Sequence, residues 1–296
     1  MVRSDATIGF VGLGVMGEPM CRNMAAKSGR SVVGYDSRPD PLARLAAFGV
    51  DAATSLDQVA AEAGIICLVL PSGRHVEAVC SGPGGLLESA RPNTLIVDLG
   101  TSPVDLTREL AARFSEKGCT YADAPIARTR QAAEEGTLSI MVGADQAVFV
   151  FLEPLLRTMA SDVTLCGPVG SGQMVKILNN MVLVETVVAL SEAIAVARRA
   201  GLDDRLLLET LSKGSADSFA LRNHGMKAIL TGAFPERAFS TDYARKDLSY
   251  ALALGKELGV DMPGARNADE LLRVASDQGY GDLYWPVVSR ILDPAD

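Results

Sequence analysis

The chain has 296 residues, of which 48% are hydrophobic and 22% are charged, values that are ordinary for a folded globular protein long enough for two domains. Its net charge of -8 makes nucleic acid and anionic membrane surfaces poor partners, so we expect it to bind neither.

A glycine-rich loop near the N-terminus predicts a dinucleotide site. A strand predicted over residues 7–11 leads directly into a G-x-G-x-x-G loop, and a helix follows to about residue 28. These glycines allow a tight turn and let the backbone approach a pyrophosphate at the helix start. The alternative is a glycine-rich turn in another doubly wound protein. The predicted cofactor contacts in the loop are Gly12, Leu13, Gly14, Val15, Met16 and Gly17.

An acidic residue after the second predicted strand bears on the choice of cofactor. The strand covers residues 31–35 and is followed by Asp36, which lies 19 residues after Gly17. A carboxylate there can accept both ribose hydroxyls and repels a 2′-phosphate, which favours NAD over NADP. Ser37 and Arg38 follow, and Arg38 could instead contact a phosphate or stack on adenine. NAD is therefore predicted, with NADP as the alternative.

Further strands alternate with helices through the first half of the chain. Strands are predicted over 65–70, 94–98, 119–123, 139–143 and 163–167, with helical segments between them. Such alternation indicates a mostly parallel, doubly wound sheet, an α/β Rossmann-like domain over residues 1–167. Ligands bind at the carboxyl ends of such strands. The predicted cofactor contacts there are Leu70, Pro71, Ser72 and Thr101, although Ser72 could instead cap the following helix.

Residues 170–200 form the longest element predicted from the sequence. The segment has no proline, and no glycine follows Gly172 until Gly201, so one helix of roughly 45 Å is predicted. Its polar residues argue against a membrane span. Lys176 and Asn180 lie four residues apart and share one face. A lysine in so apolar a helix either takes part in chemistry or extends its ammonium group to water, and this segment alone leaves both open.

The second half is predicted to be all-helical. Helices are expected over 203–212, 221–230, 241–258 and 267–278, so residues 168–296 form a second domain joined to the first by the long helix. The apolar long helix also suggests burial against another subunit.

Cysteine usage and the N-terminus both favour a cytoplasmic protein. The five cysteines are widely spaced and contain no C-x-x-C pair, which is typical of reduced, mostly buried thiols. The first residues lead into a strand without the apolar segment of a signal peptide. The two histidines have no adjacent ligand pattern, so no metal site is predicted.

Several motifs together resemble the β-hydroxyacid dehydrogenases, which include 3-hydroxyisobutyrate dehydrogenase and tartronate semialdehyde reductase. The matching segments cover nearly the whole chain in order. They are residues 9–20, Asp123-Ala124-Pro125-Ile126, residues 136–143, residues 170–180 with Lys176, Asn179 and Asn180, and Lys246-Asp247-Leu248.

The resemblance implies an NAD-dependent enzyme that interconverts a small 3-hydroxy acid and its semialdehyde. It also implies a homodimer or homotetramer. In this family pattern Lys176 is the catalytic acid and base, and Asn180 helps to hold the substrate. Phe239 and Lys246 would reach the nicotinamide end of the site. Oxidation of an alcohol needs such a base, together with a cofactor that takes the hydride.

The segment after Pro125 departs from the family pattern. Where the family usually has Ser-Gly-Gly, this chain has Ala127-Arg128-Thr129, followed by Arg130. The Arg-Thr pair resembles the sulfolactaldehyde reductase branch, whose substrate carries a sulfonate. Ala127, Arg128 and Thr129 are therefore predicted to bind the substrate, with Arg128 on its anion. The alternative is that one arginine points to solvent while the other pairs with Glu134 or Glu135.

Three other functions are weighed against this interpretation. An enzyme like 6-phosphogluconate dehydrogenase needs a larger helical domain than the residues after Gly167 provide. A non-catalytic dinucleotide-binding protein on the same scaffold would be expected to lack Lys176. An imine reductase shares the architecture but usually lacks that lysine as well.

Overall fold

The computed structural model describes residues 5–236 and 238–293. The chain divides into two compact units, Met1–Lys176 and Ile177–Asp296. The sequence-based boundary was placed at residue 167. In the structure the first turn of the long helix belongs to the first unit, because its backbone is hydrogen-bonded to that unit's sheet.

The first unit is built on a mixed sheet. Within the described residues its strands are β1 Ile8–Val11, β2 Val32–Tyr35, β3 Val50–Ala52, β4 Ile65–Leu68, β5 Leu95–Asp98, β6 Thr120–Asp123, β7 Ile126–Ala127, β8 Leu138–Gly143 and β9 Ala160–Gly167. Their order is β3-β2-β1-β4-β5-β6-β8-β7, and β9 pairs with β8. The strands from β3 to β6 in this order run parallel, whereas β8 is antiparallel to β6 and β7.

Alternating side chains of the strands fill two hydrophobic cores, one on each face of the sheet. In β1, Ile8 and Phe10 enter one core and Val11 enters the other. In β4, Cys67 packs with the first group and Leu68 with the second. Burial on both faces explains why these strands read as continuous apolar runs.

Helices cover both faces of this sheet. They are α1 Gly17–Lys27, α2 Pro39–Leu45, α3 Leu56–Glu62, α4 Gly73–Ser81, α5 Leu86–Ser89, α6 Val104–Glu116, α7 Arg130–Glu135 and α8 Gln146–Leu156. The predicted helices and strands are present. The elements that the sequence did not predict are the short ones, β3, β7, α5 and α7, which contain too few residues to show a periodic pattern.

The long helix α9, Ser171–Arg199, begins in the first unit and continues into the second. By length and hydropathy it could cross a membrane, and half of its most apolar window is buried inside the structure. The central helix of a globular protein meets the same criteria. Its polar residues and its hydrogen-bonded start on the sheet favour that interpretation.

The second unit is helical. After α9 come α10 Asp204–Leu211, a π-helical segment Leu221–Ile229, α11 Thr241–Glu257, α12 Pro263–Ala275 and α13 Ser289–Leu292. Two isolated bridges, Glu236 to Leu283 and Ser240 to Tyr284, are the strand-like pairings among its described residues. The helix predicted over 267–278 begins earlier, at Pro263, because proline is tolerated in a first turn. The predicted architecture, a Rossmann-like domain and a helical domain linked by a long helix, is confirmed.

Candidate active site

The glycine-rich loop between β1 and α1 has the geometry of a phosphate-binding turn. Gly12 has a φ of +93°, and a Cβ there would collide with the carbonyl oxygen of Val69. A Cβ on Gly17 would collide with the carbonyl oxygen of Gly12. At Gly14 the nearest atom to a Cβ would be Nη2 of Arg38, 4.0 Å away. The protein itself therefore requires Gly12 and Gly17, whereas Gly14 leaves open space where a pyrophosphate could approach the backbone.

Asp36 fixes this loop from the end of β2. Its Oδ2 accepts the backbone N–H of Leu13 at 2.7 Å, and its Oδ1 accepts that of Arg38 at 2.9 Å. The Asp36 side chain is only 9% exposed, whereas the Arg38 guanidinium beside it is mostly in solvent. A carboxylate and an exposed guanidinium, 3.4 Å apart, thus lie beside the loop, and these are the two features that discriminate NAD from NADP.

The other predicted cofactor contacts in the first unit follow the ends of two neighbouring strands. Leu70, Pro71 and Ser72 come after β4, and Thr101 comes after β5 and is buried. The hydroxyl of Ser72 lies 2.7 Å from Nδ1 of His75 and does not cap α4 through its side chain. Because β4 and β5 are parallel neighbours, these residues lie along the same edge of the sheet.

Asp123, at the end of β6, holds the start of α9. Its two carboxylate oxygens accept the backbone N–H groups of Gly170 and Gln173, each at 2.7 Å. The side chain is fully buried, and this burial raises the pKa of Asp123 to about 6, although the two N–H donors act in the opposite direction. The N-terminus of α9 is thereby fixed to the sheet by a carboxylate that is costly to ionise.

Gln173 adds a second connection, to the end of β5. Its Oε1 accepts the N–H of Ser102 at 3.0 Å, and its Nε2 donates to the carbonyl of Gly100 at 2.9 Å. Asp98 completes the group by accepting the hydroxyl of Ser102 at 2.7 Å. We call Asp98, Asp123 and Gln173 the α9 anchor.

Two glycines allow α9 to approach the sheet this closely. A Cβ on Gly172 would collide with the carbonyl oxygen of Met141 and lie 2.8 Å from Oδ2 of Asp123. A Cβ on Gly143 would collide with Asp123 as well. Gly143 and Gly172 are therefore packing requirements of the α9 anchor.

Lys176 lies three residues after Gln173 and is 9% exposed. This burial does not fit a lysine that extends its ammonium group into water. Asn180 follows one turn later on the same face of α9, and it is also buried. The structure thus keeps the catalytic alternative for Lys176 and places a neutral amide beside it along the helix.

In the helical unit, Asp247 connects two of the predicted site residues. Its Oδ2 accepts Nδ2 of Asn180 at 2.6 Å, and the ammonium of Lys246 lies 2.9 Å from its Oδ1. The same ammonium lies 3.9 Å from the centre of the Tyr243 ring, and the Phe239 ring packs edge-on against Tyr243. Asn180, Lys246 and Phe239 therefore belong to one cluster around Asp247 and Tyr243.

The segment between β6 and α7 shows where the predicted anion-binding residues lie. The guanidinium of Arg128 donates to the carbonyl of Thr137 at 2.6 Å, to Ser161 at 2.7 Å and to Asp162 at 2.6 Å. Ala127 lies in β7 beside Ser139 of β8. The next two residues also have protein partners, since the Thr129 hydroxyl caps α7 and Arg130 pairs with Glu134 at 2.9 Å. The pairing expected as the alternative thus holds for Arg130, whereas contact of Arg128 with a substrate stays a prediction.

Comparison with known families matches both halves of the chain. Residues 7–167 match the NAD binding domain of 6-phosphogluconate dehydrogenase, and residues 170–284 match the NAD-binding domain of NADP-dependent 3-hydroxyisobutyrate dehydrogenase. The chain belongs to the 3-hydroxyisobutyrate dehydrogenase family. It is therefore an NAD(P)-binding oxidoreductase of the β-hydroxyacid dehydrogenase class.

Individual relatives align over nearly the full length. The chain is 37% identical to 2-(hydroxymethyl)glutarate dehydrogenase of Eubacterium barkeri, over 93% of this chain and 90% of that one. It is 34% identical to 2-hydroxy-3-oxopropionate reductase of Escherichia coli K12, over 93% of each. The structure of Mycobacterium tuberculosis 3-hydroxyisobutyrate dehydrogenase with L-serine superposes with a TM-score of 0.88 at 31% identity, covering 97% and 99% of the two chains. Imine reductases share the fold at 16–17% identity.

Some functional contacts of this 3-hydroxyisobutyrate dehydrogenase family member were not recognised in the sequence. The sequence singled out Lys176 and Asn180. It did not indicate that Gln173 bonds to both Asp98 and Asp123, or that Asp247 accepts a hydrogen bond from Asn180. A signal was present, because Asp98 and Asp123 each end a buried apolar strand, where a carboxylate needs partners. The identity of those partners depended on the three-dimensional fold.

The pKa of Asp123 predicts a pH-dependent stability. Since the folded-state pKa is near 6 and the ordinary value is 3.8, the folded protein keeps a proton that the unfolded chain releases. This bound proton adds up to roughly 3 kcal/mol to the free energy of unfolding. The contribution is fully present below about pH 4 and is lost as the pH rises through about 6. Urea unfolding of wild type and Asp123→Asn across this range measures it, because the variant cannot titrate.

The exposed Asp105→Asn variant serves as the control, and it should keep the wild-type pH profile. Parallel pH profiles for wild type and Asp123→Asn would contradict the raised pKa.

Proposed function

We propose that this enzyme uses NAD(H) to interconvert a small 3-hydroxy carboxylic acid and its semialdehyde, with Lys176 as the general acid and base. The observation that carries the proposal is the burial of Lys176 on α9, one turn after a residue fixed to the sheet. A lysine held away from water in a dehydrogenase family is suited to proton transfer.

Lys176 has a distinct task in each direction. When bound, a nicotinamide cofactor would supply the hydride-transfer chemistry in either direction. In oxidation the neutral amine of Lys176 takes the proton of the substrate hydroxyl. In reduction its ammonium group gives that proton to the carbonyl oxygen. Asn180, one turn away, can hydrogen-bond the substrate without adding charge.

The substrate class follows from chemistry shared among the relatives. 2-(Hydroxymethyl)glutarate, 2-hydroxy-3-oxopropionate and 3-hydroxyisobutyrate each carry a carboxylate with the alcohol or aldehyde carbon two bonds away. We propose a substrate with this arrangement. The Arg-Thr pair motivates testing sulfonate analogues beside the carboxylates, since a guanidinium binds both kinds of anion.

Removal of the Lys176 amine tests the proton transfer. We expect Lys176→Ala to lower kcat by at least about 10²-fold, because the reaction loses its acid and base, while NADH still binds. The measurement is NADH oxidation with three-carbon to five-carbon semialdehydes that carry carboxylate or sulfonate ends, together with NADH binding followed by fluorescence.

Lys227→Ala is the matched control, because Lys227 lies on the surface of the helical unit and bonds to Asn223. The Lys227→Ala variant should turn over the substrate at the wild-type rate. Full activity of Lys176→Ala on a substrate that wild type uses would refute the assigned role.

The carboxylate of Asp36 is proposed to set the cofactor preference. We expect kcat/KM with NADH to exceed that with NADPH by about tenfold or more, because Asp36 repels a 2′-phosphate. Asp36→Asn removes the charge and can still accept the N–H of Leu13. The preference for NADH over NADPH in kcat/KM should therefore fall by about tenfold. Steady-state kinetics with both cofactors measure this.

Arg38→Ala should lower the use of NADPH and leave that of NADH nearly unchanged. If Asp36→Asn leaves the ratio of kcat/KM with NADH to kcat/KM with NADPH unchanged, the role of Asp36 is only to hold the loop through the N–H of Leu13.

Arg128 is proposed to release its ion pair with Asp162 and to bind the substrate anion in its place. Arg128→Ala should then raise KM for the acid or semialdehyde by about tenfold with a smaller change in kcat. Asp162→Asn weakens the competing ion pair, so KM should fall or stay constant. If Arg128→Ala leaves KM unchanged, the pairing with Asp162 is the role of this arginine, and the sulfonate interpretation loses its basis.

A further inference from the structure

The start of α9 differs from the starts of other helices in the described chain. Several of the other helices begin with a local cap, in which the side chain of the residue before the helix accepts the backbone N–H of a residue two or three positions further along the chain. The residues that do so are Ser55, Thr129, Asp203 and Ser240. At α9 the acceptor is Asp123, which lies 47 residues before Gly170 and 50 before Gln173. The position of α9 is therefore set by the sheet.

The side chain of Gln173 fixes the rotation of the helix about its axis. It is fully buried, and its amide has a partner at each end, Ser102 at Oε1 and Gly100 at Nε2. Nε2 also lies 3.4 Å from Oδ2 of Asp98. Because both partners are backbone groups of one short segment, only one orientation of the amide satisfies them.

From this geometry we infer that Gln173 is a positioning residue for Lys176. The inference rests on the proposed role of Lys176 as acid and base. Asp123 sets how far along its axis α9 lies, and Gln173 sets which way the helix faces. Lys176 follows Gln173 by three residues, so the direction of its side chain is determined by the same two constraints.

The magnitude of the expected effect follows from helix geometry. The Lys176 nitrogen can lie roughly 8 Å from the helix axis, given a Cα radius of about 2.3 Å and an extended side chain. A helix rotation of about 10° would then move it by about 1.4 Å. A displacement of that size can cost on the order of 10²-fold in rate. Loss of the Gln173 amide should therefore lower kcat without removing any reacting group.

The test is Gln173→Met, which keeps the length of the side chain and removes its hydrogen bonds. We expect kcat to fall by about 10-fold to 100-fold, and the dissociation constant for NADH to stay within about twofold. Because the slowed step is the transfer of the Lys176 proton, the solvent deuterium isotope effect on kcat should also rise above the wild-type value. A purely structural role would not produce this combination.

Ser191→Ala is the matched control, since it removes another buried hydrogen bond of α9, the one to Val187. It should lower the melting temperature while kcat stays at the wild-type value. If kcat of Gln173→Met stays within about twofold of the wild-type value, the inference is wrong. It is also wrong if the dissociation constant for NADH rises by as large a factor as kcat falls.

Two further variants separate the possible failures. If Lys176→Ala remains active, the proposed function fails. If Lys176→Ala is inactive and Gln173→Met is fully active, only the positioning inference fails. Should Gln173→Met not fold, Gln173→Asn keeps an amide but shortens the side chain by one methylene, so it cannot reach both Ser102 and Gly100, and kcat should still fall by about threefold or more with NADH binding unchanged. A wild-type kcat for this variant would overturn the inference.

Discussion

The contact between the Asp123 carboxylate and the first turn of α9 is the constraint on which the rest of the structure depends. A buried carboxylate is costly, and the raised pKa of Asp123 expresses that cost. It is offset in part by two backbone N–H donors that the start of a helix would otherwise leave without partners. Each charge-assisted bond of this kind contributes about 1.5–3 kcal/mol. Gly143 and Gly172 are needed because this contact leaves no room for a Cβ.

The same edge of the sheet carries both the α9 anchor and the cofactor loop. β1, β4, β5 and β6 are parallel, so their carboxyl ends lie in one row, which begins with the loop at Gly12 and ends with Asp123. In an open α/β sheet this is where ligands bind. A helix fixed to the β5 and β6 end of that row carries its lysine with it. The sheet thus determines the position of the glycine-rich loop and that of Lys176 through short connections, as the proposed transfer of a proton and a hydride in one site would require.

The sequence predicted those parts of the molecule that depend on local pattern. The loop at Gly12, the alternation of strands and helices, and the uninterrupted helix α9 all carry their signal within a few consecutive residues. The roles of Asp123 and Gln173 could not be read in this way, because their partners lie 47 to 75 residues away along the chain. Arg128 shows the same limit. Its residue type predicted an anion contact, but the strand β9 that supplies Asp162 becomes its neighbour only when the sheet forms.

Arg128 also shows how this family scaffold accommodates a change at one loop. Its φ of +85° is a conformation that glycine adopts freely and that costs a residue with a Cβ about 1 kcal/mol or more. The family usually has glycine at this point of its Ser-Gly-Gly pattern, so the backbone shape is retained while the side chain is new. Three hydrogen bonds to the β8 and β9 side of the sheet, one of them the ion pair with Asp162, act against this strain, although solvent weakens them. Because none of the three partners of Arg128 belongs to the α9 anchor, the change of anion preference proposed at this loop would leave the α9 anchor undisturbed.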